Sequence, residues 1–320
     1  MEPRLSVIVP TFNNLDVLRR CLDSWERFAS DQPVELLVIE DGCKDATPRF
    51  LEERSRTEWG KRFLRWFHEQ DVHQLKCNNR GFQEARAPLS LVWDDDMFLD
   101  VPWLVPELLE TFDAYPDLGL LSLIRGLVLS PLEEPITEWE HLHDPRRMVT
   151  TVGPGMGLNW LRLSEVDIVI RPWVVRRACL EKVGPLDEAF CPVEWDEADL
   201  AYRIRVNGGW RVATHDYERG GAFTHLGSTT LGKMNVEKHH RMVLPNGQRF
   251  HQRWGDTIRR EHPRARKTWW RRIPPESLPL LLRQAGIFGY ARARNVLRRL
   301  TTRRGPAPSG HPDPGPPSPP

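Results

Sequence analysis

"LSLVWDDDMF", residues 89–98, runs an apolar stretch and a tryptophan straight into Asp94, Asp95 and Asp96. Neighbouring like charges repel. A chain tolerates such a run in a solvated turn where a strand stops, or where hard oxygen ligands converge on a divalent cation that neutralises them. A second acidic pair, Glu40 and Asp41, follows "VELLVI", and Asp41-Gly42 also reads as a tight turn. The third group lies in "VEWDEADLAYRIR", residues 193–205, where Asp196, Glu197 and Asp199 precede Arg203 and Arg205. A carboxylate there could take a proton from an attacking hydroxyl as a general base. The same acids would also favour a helix N-terminus through its dipole.

These groups need a frame to hold them. In the first half, apolar runs of strand length alternate with amphipathic stretches of helix length, the pattern of an α/β protein with a mainly parallel sheet and crossover helices. "LSVIVP", "VELLVIED", "FLRWFHEQ", "PLSLVWDDD" and "LGLLSLIRG" read as strands. "LDVLRRCLDSWERF" puts Leu15, Leu18, Cys21, Leu22 and Trp25 on one helical stripe. "DATPRFLEERS" predicts a helix start with Thr47 as N-cap and Pro48 at the first helical position, and "PWLVPELLETFDAYP" a further helix. Two acidic groups thus end strands on one sheet edge, where open α/β sheets bind ligands. No GxxxxGK[ST] loop and no GxGxxG follows the first strand, so a nucleotide bound here would depend on a metal for its phosphates.

Composition narrows the classes. Forty-five basic residues against 44 acidic ones leave a net charge of +1, so no nucleic-acid partner is expected. The five cysteines form no CxxC pair, which argues against a disulfide framework or a structural zinc and fits a reducing cytosol. The apolar run at the N-terminus is too short for a signal segment, and nowhere do about eighteen apolar residues run uninterrupted. A cytoplasmic protein, soluble or peripheral at the inner face of a membrane, is expected.

The motifs in their order resemble the inverting glycosyltransferases of family 2, with the GT-A fold. "LSVIVPTFNN" resembles that family's opening strand. "VIEDGCKDAT" resembles its acidic-acidic-Gly-Ser-x-Asp-Gly-Thr element, with Cys43 for serine and Ala46 for glycine. "NNRGFQEARAPLSLVWDDD" resembles the stretch from an Asn-x-Gly turn to the DxD motif, and "VGPLDEAFCPVEWDEADLAYRIRVNGG" the segment holding an acidic pair and x-Asp-Leu. "HLGSTT" resembles the histidine turn that follows, and Arg253-Trp254-Gly255 a Lys-Trp-Gly turn. The resemblance implies transfer from a nucleoside diphosphate sugar to a saccharide or lipid-linked saccharide acceptor, with Mn²⁺ or Mg²⁺ as cofactor. It implies Asp96, Asp94 and His225 as metal ligands, Asp94 also near the ribose, and Asp95, the variable middle residue, among the nucleotide-sugar-binding residues. Pro10, Thr11, Glu40 and Asp41 would frame the base and ribose. Glu197 would be the catalytic base with Asp196 beside it, and Trp195 would stack on the acceptor.

The expected domains are a GT-A unit over 1–256, with a nucleotide part at about 1–130 and an acceptor part at about 150–256. A basic amphipathic extension over 257–304 follows, then a Pro-rich, disordered tail over 305–320. The extension reads as a helix on a membrane surface or as a solvated helix on the catalytic domain. The Gly-rich stretch at 153–160 reads as a loop over the donor or a plain connector. Two other classes stay open: a nucleotidyltransferase with a carboxylate-bound metal, and a non-catalytic polyanion or surface binder built on the basic extension.

Overall fold

The computed structural model describes residues 2–129, 162–192, 194–218, 220–227, 236–262 and 268–270. The Gly-rich stretch at 153–160, Trp160, the Pro-rich tail and nearly all of the basic extension lie outside these residues. The chain divides into two compact units, Met1–Arg272 and Ile273–Pro320, and the second lies outside the described residues.

The core is a nine-stranded sheet in the order β11-β7-β9-β6-β8-β4-β1-β2-β3. Its strands are β1 (Leu5–Thr11), β2 (Val34–Asp41), β3 (Leu64–Glu69), β4 (Leu89–Val92), β6 (Leu118–Ser122), β7 (Arg162–Glu165), β8 (Trp173–Arg176), β9 (Arg211–Thr214) and β11 (Thr268–Trp270). Four neighbouring pairs are parallel and four antiparallel, but only β7 and β8 are reversed, so seven of the nine strands run the same way. β5 (Met97–Leu99) and β10 (Phe223–His225) form a separate antiparallel ribbon. Every residue of β1 and β2 is buried, as expected of parallel strands covered on both faces.

The helices are α1 (Leu15–Ala29), α2 (Thr47–Ser55), α3 (Glu58–Phe63), α4 (Gln74–Glu84), α5 (Leu104–Ala114), α6 (Arg177–Val183), α7 (Asp196–Tyr202) and α8 (Val236–Glu261). α1 buries Leu18, Cys21, Leu22 and Trp25, the stripe its sequence predicts, while Leu15 at its first turn stays half-buried. α8 carries the chain past Asp256, where the composition shifts, and β11 then pairs with β7. Among the described residues no helix is long and apolar enough to cross a membrane.

Three local expectations change. Thr47 is the first residue of α2 rather than its cap, because the Asp45 carboxylate two residues earlier accepts the Thr47 N–H at 3.0 Å. The expected Asn-x-Gly turn is instead the middle of α4. Asn79 bonds the backbone N–H and C=O of Leu186 at 3.0 and 2.9 Å, and Gly81 lies against Ile8 of β1. Arg253-Trp254-Gly255 likewise belongs to α8 and not to a turn.

The Gly81 contact lets α4 lie close to β1, since a Cβ there would overlap Cγ2 of Ile8. Gly81→Val should therefore lower stability by about 1–3 kcal/mol through overpacking. Thermal unfolding checks this, and an unchanged melting temperature would mean that α4 can shift away without loss.

Candidate active site

Register brings the acids together. Thr11 pairs with Glu40 across β1 and β2, Ile8 with Val92 across β1 and β4, and Trp173 at the start of β8 with both Val92 and Ser122. One sheet edge therefore carries the Thr11 loop, Glu40 and Asp41, the aspartate turn and the residues just before β8. Trp93 anchors the turn: its ring lies edge-on to Trp25 and Phe223, and its indole N–H donates to the Met97 carbonyl at 3.0 Å. The turn closes where the Met97 N–H meets the Asp94 carbonyl at 3.1 Å.

The three aspartates then part company. Asp95 points back to the loop before α1, accepting from the Thr11 hydroxyl at 2.7 Å and the Asn14 amide at 3.1 Å. Burial pushes its carboxyl up to about 7. Asp94 accepts from the Gln74 amide at 2.7 Å, and Asp96 lies 3.3 Å from Nε2 of His225. His225 comes from β10, which places it opposite Met97 on the ribbon. One ligand atom each from Asp94, Asp96 and His225 lies within 4.8 Å of the others. The hydrogen bond to Asp96 raises the His225 pKa, and burial raises that of Asp94. Protons on these groups relieve the same crowding that a divalent cation would relieve. Two carboxylates and an imidazole fit such an ion, and the mixed oxygen and nitrogen set suits Mn²⁺ better than Mg²⁺.

Glu40 and Asp41 have protein partners. Glu40 accepts the Cys43 N–H and lies 2.5 Å from Nδ1 of His68. Asp41 accepts the Val72 and His73 N–H groups at 2.7 and 3.0 Å and so closes the loop into α4. Pro10 and Thr11 are buried at the end of β1, beside Ile39 and Glu40.

The remaining acids open α7. Glu194 and Trp195 both have positive φ, 61° and 69°, and this kink sets Asp196 and Glu197 in the first turn. The Trp195 ring is only 7 % exposed and packs against Phe250 and His251, with centroids 5.0 and 5.5 Å away. Arg171, two residues before β8, donates from Nε and Nη2 to Glu197 Oε2 at 3.2 and 2.9 Å. It lies 3.8 Å from Asp196. Burial pushes the Glu197 carboxyl up to about 8, against the pull of Arg171. Asp196 is 2 % exposed, and neither of its carboxylate oxygens has a hydrogen-bond partner among the described residues. Asp199 is fully buried, bonding Arg203 at 2.7 Å, Arg253 at 2.8 Å and the Trp254 indole at 2.9 Å. Sequence reading missed Arg171, Gln74 and Asn14. Nothing local distinguishes Arg171 among 45 basic residues.

Residues 6–149 match the model of Glycosyl transferase family 2, so this stretch of the chain is similar to that family. The match spans the aspartate turn and ends before α7. The chain is 27% identical to Putative glycosyltransferase EpsH of Bacillus subtilis (strain 168) over 108 residues, 34% of this chain and 29% of that one. It is 24% identical to Validoxylamine A glucosyltransferase of Streptomyces hygroscopicus subsp. jinggangensis (strain 5008) over 233 residues, 64% of this chain and 52% of that one. The alignments thus span about a third to a half of these relatives. Among solved structures, S. aureus TarS 1-349 aligns with a TM-score of 0.44 and 16% identity, covering 90% of this chain and 80% of that one.

Asp199 ties the start of α7 to the far end of α8. Asp199→Ala should cost about 3 kcal/mol, because it leaves the Arg203 and Arg253 guanidinium groups without their shared acid. Urea unfolding measures the loss, and a wild-type midpoint would show that α8 docks without this hub.

Proposed function

We propose that this chain transfers a glycosyl group, with inversion, from a nucleoside diphosphate sugar to a hydroxyl of a saccharide or lipid-linked saccharide. The observation that carries the reading is that Asp94, Asp96 and His225 converge on one sheet edge, with Arg171 linking that edge to Glu197. Asp94, Asp96 and His225 would hold Mn²⁺ or Mg²⁺, which as a Lewis acid stabilises charge developing on a diphosphate leaving group. Pro10, Thr11, Glu40 and Asp41 border the nucleotide end. Asp95 braces the loop after Thr11, and Trp195 shapes the acceptor side from within the core.

Glu197 is the base. The acceptor oxygen bonds to the anomeric carbon as the bond from that carbon to the diphosphate oxygen breaks. The acceptor proton passes to Glu197, and the electron pair leaves with the diphosphate. Attack from the face opposite the leaving group inverts the anomeric centre. The name of the Streptomyces relative makes glucosyl donors the first to try.

Two measurements test the reading. UDP, GDP or dTDP should bind with Mn²⁺ by calorimetry, and Asp96→Asn should largely abolish this binding. Equal affinity in EDTA would sink the metal assignment.

Glu197→Gln should lower single-turnover transfer roughly 100-fold or more while donor affinity hardly changes. Because a base must be deprotonated and burial lifts this carboxyl to about 8, the rate should climb with pH and level off above that value. Wild-type transfer by the glutamine variant, or a product that retains configuration, would sink the assignment.

A further inference from the structure

We propose that Arg171 is a positioning residue for transfer: its guanidinium grips one oxygen of Glu197 and leaves the other open to the acceptor hydroxyl. This rests on the reading of Glu197 as the base.

The geometry of the pair is unusual for a purely structural ion pair. Arginine and carboxylate commonly meet fork to fork, two nitrogens on two oxygens. Here Nε and Nη2 converge on Oε2 alone, at 3.2 and 2.9 Å, and Oε1 has no hydrogen-bond partner among the described residues. One oxygen is fixed and the other is available to accept a proton.

The backbone that carries Arg171 is held on both sides. The Ser122 hydroxyl donates to the Ile170 carbonyl at 2.7 Å and accepts the Ile170 N–H at 3.4 Å. On the other side, the Leu123 N–H donates to the Pro172 carbonyl at 2.9 Å. The guanidinium therefore projects from the segment just before β8, which is fastened to the end of β6, and its side chain is only 16 % exposed. A positioning group needs such support, since small misplacements of a reacting atom lower rates steeply.

Charge gives the clamp a second effect. The charged groups acting on Glu197 are Arg171, Asp196 and Asp94. Both acids favour its protonated form, as burial does, and among the described residues Arg171 opposes them. A protonated Glu197 cannot take a proton. Lysine would keep the charge but could not set two donors on one oxygen from this backbone position.

The test uses the full chain with Arg171→Ala and Arg171→Lys. The primary readout needs no substrate: the Glu197 side-chain carboxyl is followed by NMR titration in ¹³C-glutamate-labelled protein, its signal assigned by its loss in Glu197→Gln. In Arg171→Ala the midpoint should rise by about one unit or more. The second readout is release of UDP from UDP-glucose with water as acceptor. There Arg171→Ala should lose roughly 30-fold or more in kcat with donor KM nearly unchanged, Arg171→Lys should lose less, and added guanidinium ion should restore part of the alanine variant's rate.

A wild-type Glu197 midpoint in Arg171→Ala would overturn the proposal. So would a loss confined to donor KM, since Arg171 would then be a donor ligand. If the alanine variant does not fold, Arg171→Gln, which removes the charge but keeps a long polar side chain, carries the titration and the rate measurement. The two readings fail separately: an active Glu197→Gln removes the base, whereas an inactive Glu197→Gln beside a fully active Arg171→Ala removes only the clamp.

Discussion

Electrostatic repulsion among carboxylates on one sheet edge is the constraint around which this structure is arranged. Asp94, Asp95, Asp96, Asp196 and Glu197 come from two separate parts of the chain, and the neighbours of four of them lower the charge or answer it. Asp95 turns away to two neutral donors and shifts toward its protonated form. Asp96 faces an imidazole whose proton it favours. Asp94 meets the Gln74 amide, and Glu197 meets Arg171. Asp196 is buried with no hydrogen bond to its oxygens among the described residues, the Arg171 guanidinium lying 3.8 Å away. Burying a carboxylate without hydrogen bonds is costly, so among these five acids Asp196 is the least satisfied.

The two halves meet through polar contacts that fix distances between the acid groups. Asn79 of α4 imitates a strand partner for Leu186, and the same helix reaches Asp94 through Gln74. Asp199 fastens α7 to α8. The Asn79–Leu186 and Trp254–Asp199 bonds are buried, where a hydrogen bond is stronger and an unmade one more damaging. The separation between the aspartate turn and Glu197 is thus set by the scaffold and not by loop conformation.

Much of this was legible in the sequence because it followed from periodicity. Continuous apolar runs marked strands buried on both faces, the spacing of Leu18, Cys21, Leu22 and Trp25 marked one face of α1, and acids at strand ends marked the sheet edge where Glu40, Asp41 and the aspartate turn gather. Asn79 and Gly81 read as a turn because their residue types favour turns. Tertiary contacts with Leu186 and Ile8 go with their helical conformation instead. The different roles within Asp94, Asp95 and Asp96 were not legible, since three identical residues differ only in what Thr11, Gln74 and His225 bring to them. Arg171 was invisible for a related reason: its partners lie 25 and 26 positions away, with no periodicity linking them.

The β5–β10 ribbon sets an order of assembly. Met97 pairs with His225, 225 − 97 = 128 positions later in the chain. The two acids of the trio sit on a parallel core whose partners β1, β2 and β4 all lie within the first 92 residues. Closing the longer loop carries a larger entropic penalty and follows the nearer contacts. During synthesis the β1, β2 and β4 core therefore takes shape while the His225 imidazole is still unmade. A half-finished chain presents Asp94 and Asp96 without His225, so the three side chains come together only once the chain has been translated past β10.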